Sequence, residues 1–210
     1  MFAIFAAGAS GQSALEFNSK GWTDLLPTAP GMKGWKRVVA GRNTQLDPES
    51  QWKVDLASRV LVCEGNKGHE YLMYEAREYN DVILHAEWRF SKLEGAPAYN
   101  SGILVRVSGD GKTWIQAQTG PAGAWLFGDV PVSGNITRVN LRDKMTENRV
   151  KPAGEWNVYE ITARGRTITL WANGAVVNEW NDVPVTKGHL ALEAEGFRIE
   201  FRNLKVKELR

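Results

Sequence analysis

Side chains capable of acid–base and hydrogen-bonding chemistry alternate with apolar residues along several segments of the sequence. In the segment 82–90, His85, Glu87 and Arg89 share one side and apolar residues occupy the other. Successive side chains of an extended strand point to opposite faces, so this pattern predicts a strand with one polar face. The same alternation places further polar residues outward: Asn100, Arg106, Gln116, Gln118, Glu193 and Glu195. Such alternation is normally only a solvated face, but this mixture also suits a ligand-binding face.

Nine tryptophans accompany these polar residues. Most are expected in the core or at its edge, as we predict for Trp88, Trp156 and Trp171, because indole is large and its N–H needs a partner. Trp125 lies in a Gly-bounded loop and is the candidate platform for a sugar ring. The alternative is that this loop only packs over the fold.

Other kinds of chemistry find little support in the sequence. Cys63 is the single cysteine and lies in an apolar run, which favours a buried, unreactive thiol. His69, His85 and His189 are far apart and show no CxxC or HExxH spacing, so no metal site is expected. No GxSxG nucleophile motif occurs, and no cofactor is expected.

The charge balance argues against two classes of partner. The 210 residues include 26 Lys plus Arg against 24 Asp plus Glu, for a formal net charge of +2, and the basic residues are scattered. We therefore expect neither nucleic acid nor a membrane as partner. The sequence does not indicate an oligomeric state. A single domain over residues 14–210 is expected from the length.

Residues 1–13 are expected to be the remnant of a signal peptide or a disordered N-terminus. A short apolar run ends in the small-x-small pattern Ala7-Gly8-Ala9, which a signal peptidase accepts. No basic residue precedes the run, so we expect a longer leader upstream. This predicts a secreted or periplasmic bacterial protein.

Turn signals predict how the strands connect. Asn173-Gly174 separates two strand-like runs and suits the two positive-φ positions of a type I′ turn. Ser108–Gly111 predicts a second turn between strands. In the last strand the apolar alternation shifts by one residue near Arg202-Asn203, which predicts a β-bulge. Residues 121–152 are predicted to be loops over one rim, with one short strand at 136–141.

No segment keeps a helical apolar period for three turns, so the sequence predicts an all-β, two-sheet antiparallel β-sandwich. Its ordered motifs resemble the 3-keto-disaccharide hydrolase domain family over about Trp22 to Leu209. The segments that carry the resemblance are Gly34-Trp35-Lys36, Tyr71-Leu72, Leu84–Arg89, Asn100–Ile103 with Arg106, Gln116-Ala117-Gln118, Lys151–Asn157, Asn173-Gly174, Leu192–Gly196 and Ile199–Asn203.

The resemblance implies a concanavalin A-like jelly roll and activity on oxidised disaccharides or glycosides, usually in exported bacterial proteins. Two positions depart from the family pattern. Relatives often have Glu where this chain has Gln116, and an acidic residue where it has Ala124. If either carboxylate is catalytic in the family, this chain has lost or relocated it.

The chemistry implied is elimination followed by hydration. A ketone at C3 acidifies the C2 proton, so a base removes it, the anomeric oxygen leaves, and water adds back. Glu87 and Glu193 are the acid–base candidates. Arg106, with the two glutamines, is the candidate to stabilise the enolate. The candidate substrate-binding residues are Arg89, Asn100, Gln116, Gln118, Trp125 and Glu195.

Two alternatives remain open. In the first, Glu87, Arg89 and Arg106 have only a structural role and form ion pairs across strands, each worth a few tenths to about 1 kcal/mol of stability. The domain itself is alternatively a non-catalytic carbohydrate-binding module, which Gln116 and Ala124 favour.

Overall fold

The computed structural model describes residues 11–41, 44–95 and 97–209. Residues 1–10 of the expected leader or disordered N-terminus (1–13) lie outside the described residues. Within the described part of that segment, Ser13 is buried and its side chain caps the helix that begins at Ala14, so the expectation of disorder does not hold for this residue. The described residues form fifteen strands, one α-helix, α1 (Ala14–Phe17), and one 3₁₀-helix (Arg142–Lys144). The strands are β1 (Thr23–Asp24), β2 (Trp35–Val39), β3 (Trp52–Asp55), β4 (Val60–Cys63), β5 (Glu70–Tyr79), β6 (Val82–Phe90), β7 (Ser101–Val107), β8 (Trp114–Thr119), β9 (Leu126–Val132), β10 (Asn135–Asn140), β11 (Asn157–Arg164), β12 (Thr167–Ala172), β13 (Ala175–Trp180), β14 (Gly188–Ala194) and β15 (Ile199–Glu208).

The strands form two antiparallel sheets. Sheet A has the order β13-β12-β11-β6-β15-β4-β3, with β1 beside β15, and sheet B has the order β10-β9-β8-β7-β14-β5-β2. Apolar side chains from both sheets form the main core, including Trp88, Phe201, Ile103 and Leu192. The predicted all-β sandwich, a concanavalin A-like jelly roll, is confirmed. In the described part of the chain, no helix is long and apolar enough to cross a membrane.

The predicted bulge in the last strand is present in β15. The pairing of β15 with β6 shifts register between Arg202 and Lys205, and Asn203 has a positive φ of 49°. The extra residue restores the phase of the alternation, so that Phe201 and Leu204 both reach the core.

Residues 121–152 contain more strand than the sequence predicted. A complete hairpin, β9 and β10, occupies this segment, and only the β10 strand was expected. Its turn residues Ser133 and Gly134 both have positive φ. Pro131 and Gly128 weakened the strand signal of β9, but the neighbouring strand β8 supplies its hydrogen-bonding partner.

Cys63 is fully buried on β4, and burial raises its pKa to about 12. The prediction of an unreactive thiol agrees with this environment, because the nucleophilic form is the thiolate.

The Asn173-Gly174 turn joins β12 to β13 as a two-residue loop, since Ala172 pairs with Ala175. Both turn residues have positive φ, 44° and 107°. We expect Gly174→Val to lower the free energy of unfolding by about 1 kcal/mol or more, because a β-branched side chain resists positive φ. Urea unfolding measures this. Gly109→Val, at a site where an added Cβ meets nothing within 4 Å, is the control. Equal stability of the two variants would contradict the assigned turn.

Candidate functional site

Three strands of sheet B carry a polar cluster on the face that points away from the core. Gln116 and Gln118 alternate with core residues of β8, and Glu193 lies between two core residues of β14. β7 lies between these strands and contributes Gly102, which pairs with Gln118. Sequence alternation therefore assigned these three side chains to the correct side of their strands.

The cluster is joined by a chain of side-chain hydrogen bonds. Gln116 Nε2 donates to Glu193 Oε2 at 2.7 Å and to Gln118 Oε1 at 3.3 Å. Gln118 Nε2 donates to Asn100 Oδ1, and Asn100 Nδ2 donates to Glu195 Oε2, each at 2.6 Å. Five of the predicted site residues are thus brought together.

Gly102 makes the contact between β8 and β14 possible. A Cβ atom at this position would lie 2.1 Å from Gln116 Cδ and 2.2 Å from its Nε2. The amide of Gln116 therefore extends over the bare backbone of β7 to reach Glu193. Any larger residue at 102 would displace it.

His69 joins the cluster from just before β5 and was not among the predicted site residues. Its Nε2 lies 2.7 Å from Glu193 Oε1. Tyr71, two residues later, pairs directly with Glu193 in the sheet and meets the His69 ring edge-on. The alternation of His69 with Tyr71 indicated that the two side chains share one face of the chain. The pairing of β5 with β14, which brings His69 to Glu193, could not be predicted from residue spacing.

The two carboxylates occupy unlike environments. Both oxygens of Glu193 accept hydrogen bonds, and the residue is 3% exposed. Glu195 is half-buried, and burial together with the charge of Glu193 raises its pKa. Burial lowers the pKa of His69, but the hydrogen bond and charge of Glu193 outweigh it, so the net pKa is raised. Such perturbed groups cluster preferentially at functional sites.

Trp125 precedes β9 and lies beside Gln118, whose N–H donates to its carbonyl oxygen. Its ring is buried, with Arg142 stacked 5.0 Å from its centroid. The backbone of Trp125 therefore lies next to the cluster. The buried ring also fits the alternative, in which the loop packs over the sheet, and its role as a sugar platform stays a prediction.

Glu87 and Arg89 lie on the other sheet, so the prediction that they converge with the Glu193 cluster is wrong. Both point outward from sheet A, where Glu87 accepts from Arg202 and Asn203 and Arg89 pairs with Glu200 at 2.7 Å. The alternation along β6 predicted correctly that Glu87 and Arg89 face outward, but it contains no information on which sheet β6 joins. Cross-strand ion pairing is what the structure shows here.

Arg106 is also absent from the cluster. It has a positive φ of 55° at a point where β14 shifts register against β7, and its Nη1 donates to the carbonyl of Val185. This irregularity also turns Val107 onto the outer face, into a small apolar group with Trp114. The regular alternation assumed from the sequence ends at this bulge.

The jelly-roll fold and the match to a family model over residues 21–207 together identify a carbohydrate-related protein, either glycoside hydrolase-like or carbohydrate-binding. The chain belongs to the family described as the 3-keto-alpha-glucoside-1,2-lyase-like domain, which matches residues 21–207. This confirms the resemblance found in the sequence. No protein of curated function matches the sequence significantly.

Solved structures with this fold include enzymes and binding modules. A Parabacteroides distasonis protein provisionally assigned to the glycosyl hydrolases is 18% identical, with a TM-score of 0.64 over 96% of this chain and 100% of its own. The carbohydrate-binding module CBM66 from Bacillus subtilis is 12% identical, with a TM-score of 0.63 over 87% of this chain and 100% of the module. The Bacillus licheniformis β-glucanase is 11% identical, with a TM-score of 0.54 over 85% of this chain and 94% of the glucanase chain. At these identities the likeness establishes the fold alone.

Proposed function

We propose that this protein cleaves 3-keto-glycosides by elimination and rehydration at the outer face of sheet B. The observation that carries the proposal is the pair Glu193 and Glu195, two neighbouring carboxylates held in one network but in unlike environments. Family membership over residues 21–207 supports the substrate class.

Glu195 is the residue we assign as the base. It has one hydrogen-bond donor, Asn100, whereas both oxygens of Glu193 are engaged. Its raised pKa makes its carboxylate a stronger proton acceptor than an ordinary glutamate. Glu193, fixed by His69 and Gln116, is assigned to anchor the chain of hydrogen bonds that reaches Glu195 through Gln118 and Asn100.

The proposed reaction balances without a redox partner. Glu195 takes the C2 proton, the C1–C2 double bond forms, and the C1–O1 bond breaks. The departing oxygen takes up a proton, and water then adds across the double bond. The net change is hydrolysis, and the ketone at C3 is what makes the C2 proton acidic enough for a carboxylate.

We propose that Glu193 replaces the carboxylate that relatives often carry at the position of Gln116. Where relatives often carry Glu, this chain has Gln116, but its amide nitrogen lies 2.7 Å from Glu193 on the other side of β7. The carboxylate of Glu193 on β14 and the amide of Gln116 on β8 thus lie side by side although they come from different strands. We infer that the site keeps a carboxylate at nearly the same place.

Incubation with a chromogenic 3-keto-glucoside tests the proposal. We expect release of the chromophore from the 3-keto compound and none from the unoxidised glucoside, because only the ketone acidifies C2. Oligosaccharide binding without turnover of any 3-keto-glycoside would instead favour the non-catalytic binding module, which the amide at Gln116 and the apolar Ala124 suggest.

A further inference from the structure

The first described residues of the chain cross the outer face of sheet A. Residues 11–22, which we call the N-terminal strap, contain α1 and lead into β1, which pairs with β15. Gly11 lies beside the turn between β12 and β13, because a Cβ atom added to Gly174 would be 3.7 Å from the Gly11 carbonyl oxygen. At the other end, Trp22 meets His85 of β6 edge-on, with ring centroids 6.1 Å apart. The strap therefore spans the strands from β12 to β15.

One carboxylate of sheet A holds the strap by its backbone. Glu160 of β11 accepts from the N–H of Ala14 at 2.6 Å and from the N–H of Leu15 at 3.0 Å, the first two residues of α1. The third group on this carboxylate belongs to the sheet itself, because His85 Nδ1 lies 2.9 Å from Glu160 Oε1. Both Glu160 and His85 alternate with core residues, yet they are only 4% and 2% exposed. The strap is what covers them.

The second ring nitrogen of His85 is buried without a partner. Its Nε2 makes no hydrogen bond within the described part of the chain. Because Nδ1 faces a carboxylate, we assign the proton of the neutral ring to Nδ1, which leaves Nε2 as an acceptor. A proton on Nε2 would create a buried N–H without an acceptor, and this costs free energy. The contacts under the strap therefore suit an ionised Glu160 and a neutral His85.

Two cations of β15 lie near the imidazole. Lys205 is the register partner of His85, and Lys207 Nζ lies 5.7 Å from the centroid of the Trp22 ring. Their positive charges oppose a further positive charge on His85 while the strap keeps water away from the ring.

The other groups that face the pair are either engaged by donors or uncharged. Glu16 of the strap accepts from the backbone at the N-cap of α1. Glu87, two residues from the histidine on β6, is paired with Arg202 at 2.7 Å. On β12, the register partner of Glu160 is Trp171, which carries no charge. The proton balance at the strap thus depends mainly on the carboxylate and the imidazole beneath it.

We propose that the strap is an acid-sensitive conformational switch: proton uptake by Glu160 and His85 releases residues 11–22 from sheet A while the sandwich stays folded. A proton on the carboxyl group turns one of its oxygens into a donor, so the group no longer accepts from three N–H donors. The attraction between Glu160 and His85 is present in both states, because both residues belong to sheet A, and it does not favour either state.

Release of the strap opens both groups to water, where each takes up a proton without leaving a buried donor or acceptor unpaired. The released state therefore binds protons more readily than the docked state, and its population rises as the pH falls. This switch lies on the sheet opposite the candidate site and does not depend on the proposed function.

NMR of ¹⁵N-labelled protein from about pH 7 to about pH 4 tests the switch, since ordinary His and Glu side chains titrate in this range. The indole N–H of Trp22 donates to a carbonyl of the strap, whereas that of Trp35 donates to a carbonyl at the edge of the core. We expect the Trp22 indole and the amides of Ala14 and Leu15 to move to the positions of an unstructured segment as the pH falls. The Trp35 indole should keep its folded position over the same range.

Three variants locate the effect. Glu160→Gln imitates the protonated carboxyl group and should release the strap already at about pH 7. Glu87→Gln removes a carboxylate from the same face, bonded to Arg202 and Asn203, and as the matched control should titrate like wild type. Ser13→Ala removes the N-cap of α1 and leaves sheet A intact. It should lower the ratio of docked to released strap about fivefold and raise the pH of half-release by about 0.3 to 0.7 of a unit.

Loss of the Trp22 and Trp35 resonances together, at one pH, would overturn the switch, because the strap would then leave only when the domain unfolds. A folded Glu160→Gln variant with the pH response of the wild type would overturn it as well. If Glu160→Gln does not fold, Ser13→Ala decides, and an unchanged pH of half-release in that variant would contradict the proposal.

Discussion

Glu195→Gln is expected to lower kcat on a 3-keto-glycoside about a hundredfold or more, the usual contribution of a positioned base. The glutamine keeps an oxygen to accept from Asn100 and removes a charge that repels Glu193. Tm should therefore stay the same or rise slightly. Steady-state kinetics and thermal unfolding of the same preparation measure both quantities.

The control for this variant is Glu87→Gln on the opposite sheet. Glu87 pairs with Arg202 and Asn203, so its loss affects only a partly exposed ion pair. We expect wild-type kcat and a small change in Tm. A hundredfold loss of kcat in Glu87→Gln, or wild-type kcat in Glu195→Gln, would contradict the assignment of the reaction to the outer face of sheet B.

Gly102→Ala is expected to have the second largest effect, although it adds only a methyl group. The new Cβ would occupy the space of the Gln116 amide, which must then leave Glu193. Misplacement by about 1 Å in a catalytic constellation costs up to about a hundredfold, so we expect kcat/KM to fall at least about tenfold. Because the Gln116 side chain is flexible, the change in Tm should be small.

Gly109→Ala provides the comparison, because an added Cβ there meets nothing within 4 Å. It should change neither kcat/KM nor Tm. If Gly102→Ala is as active as Gly109→Ala, the contact between Gln116 and Glu193 has no part in catalysis.

Much of the fold was predictable because its signals are local. Alternation along β6, β8 and β14, the Asn-Gly turn and the phase shift in β15 each depend on neighbouring residues only. The site was predictable in part for the same reason. Gln116, Gln118 and Glu193 were assigned correctly to outward faces, and Asn100 and Glu195 belong to the same network.

The remaining features depend on contacts far apart in sequence. Glu87 and Glu193 both face outward, but they belong to opposite sheets, and alternation carries no information about sheet identity. The contact between His69 and Glu193 spans 124 residues. Arg106 was misplaced because a bulge interrupts its strand. Spacing motifs such as HExxH detect side chains brought together on one element, and a cluster built from separate strands leaves no such motif in the sequence.

The most direct test of the account is proton NMR of a 3-keto-glycoside cleaved by this protein in D₂O. Elimination and rehydration remove the C2 proton, so the released 3-keto sugar should carry deuterium at C2 from the first turnovers. Glu195→Gln should slow its appearance together with cleavage, and product incubated without substrate gives the rate of background exchange. Cleavage that retains hydrogen at C2 would contradict the account, as would no cleavage at all.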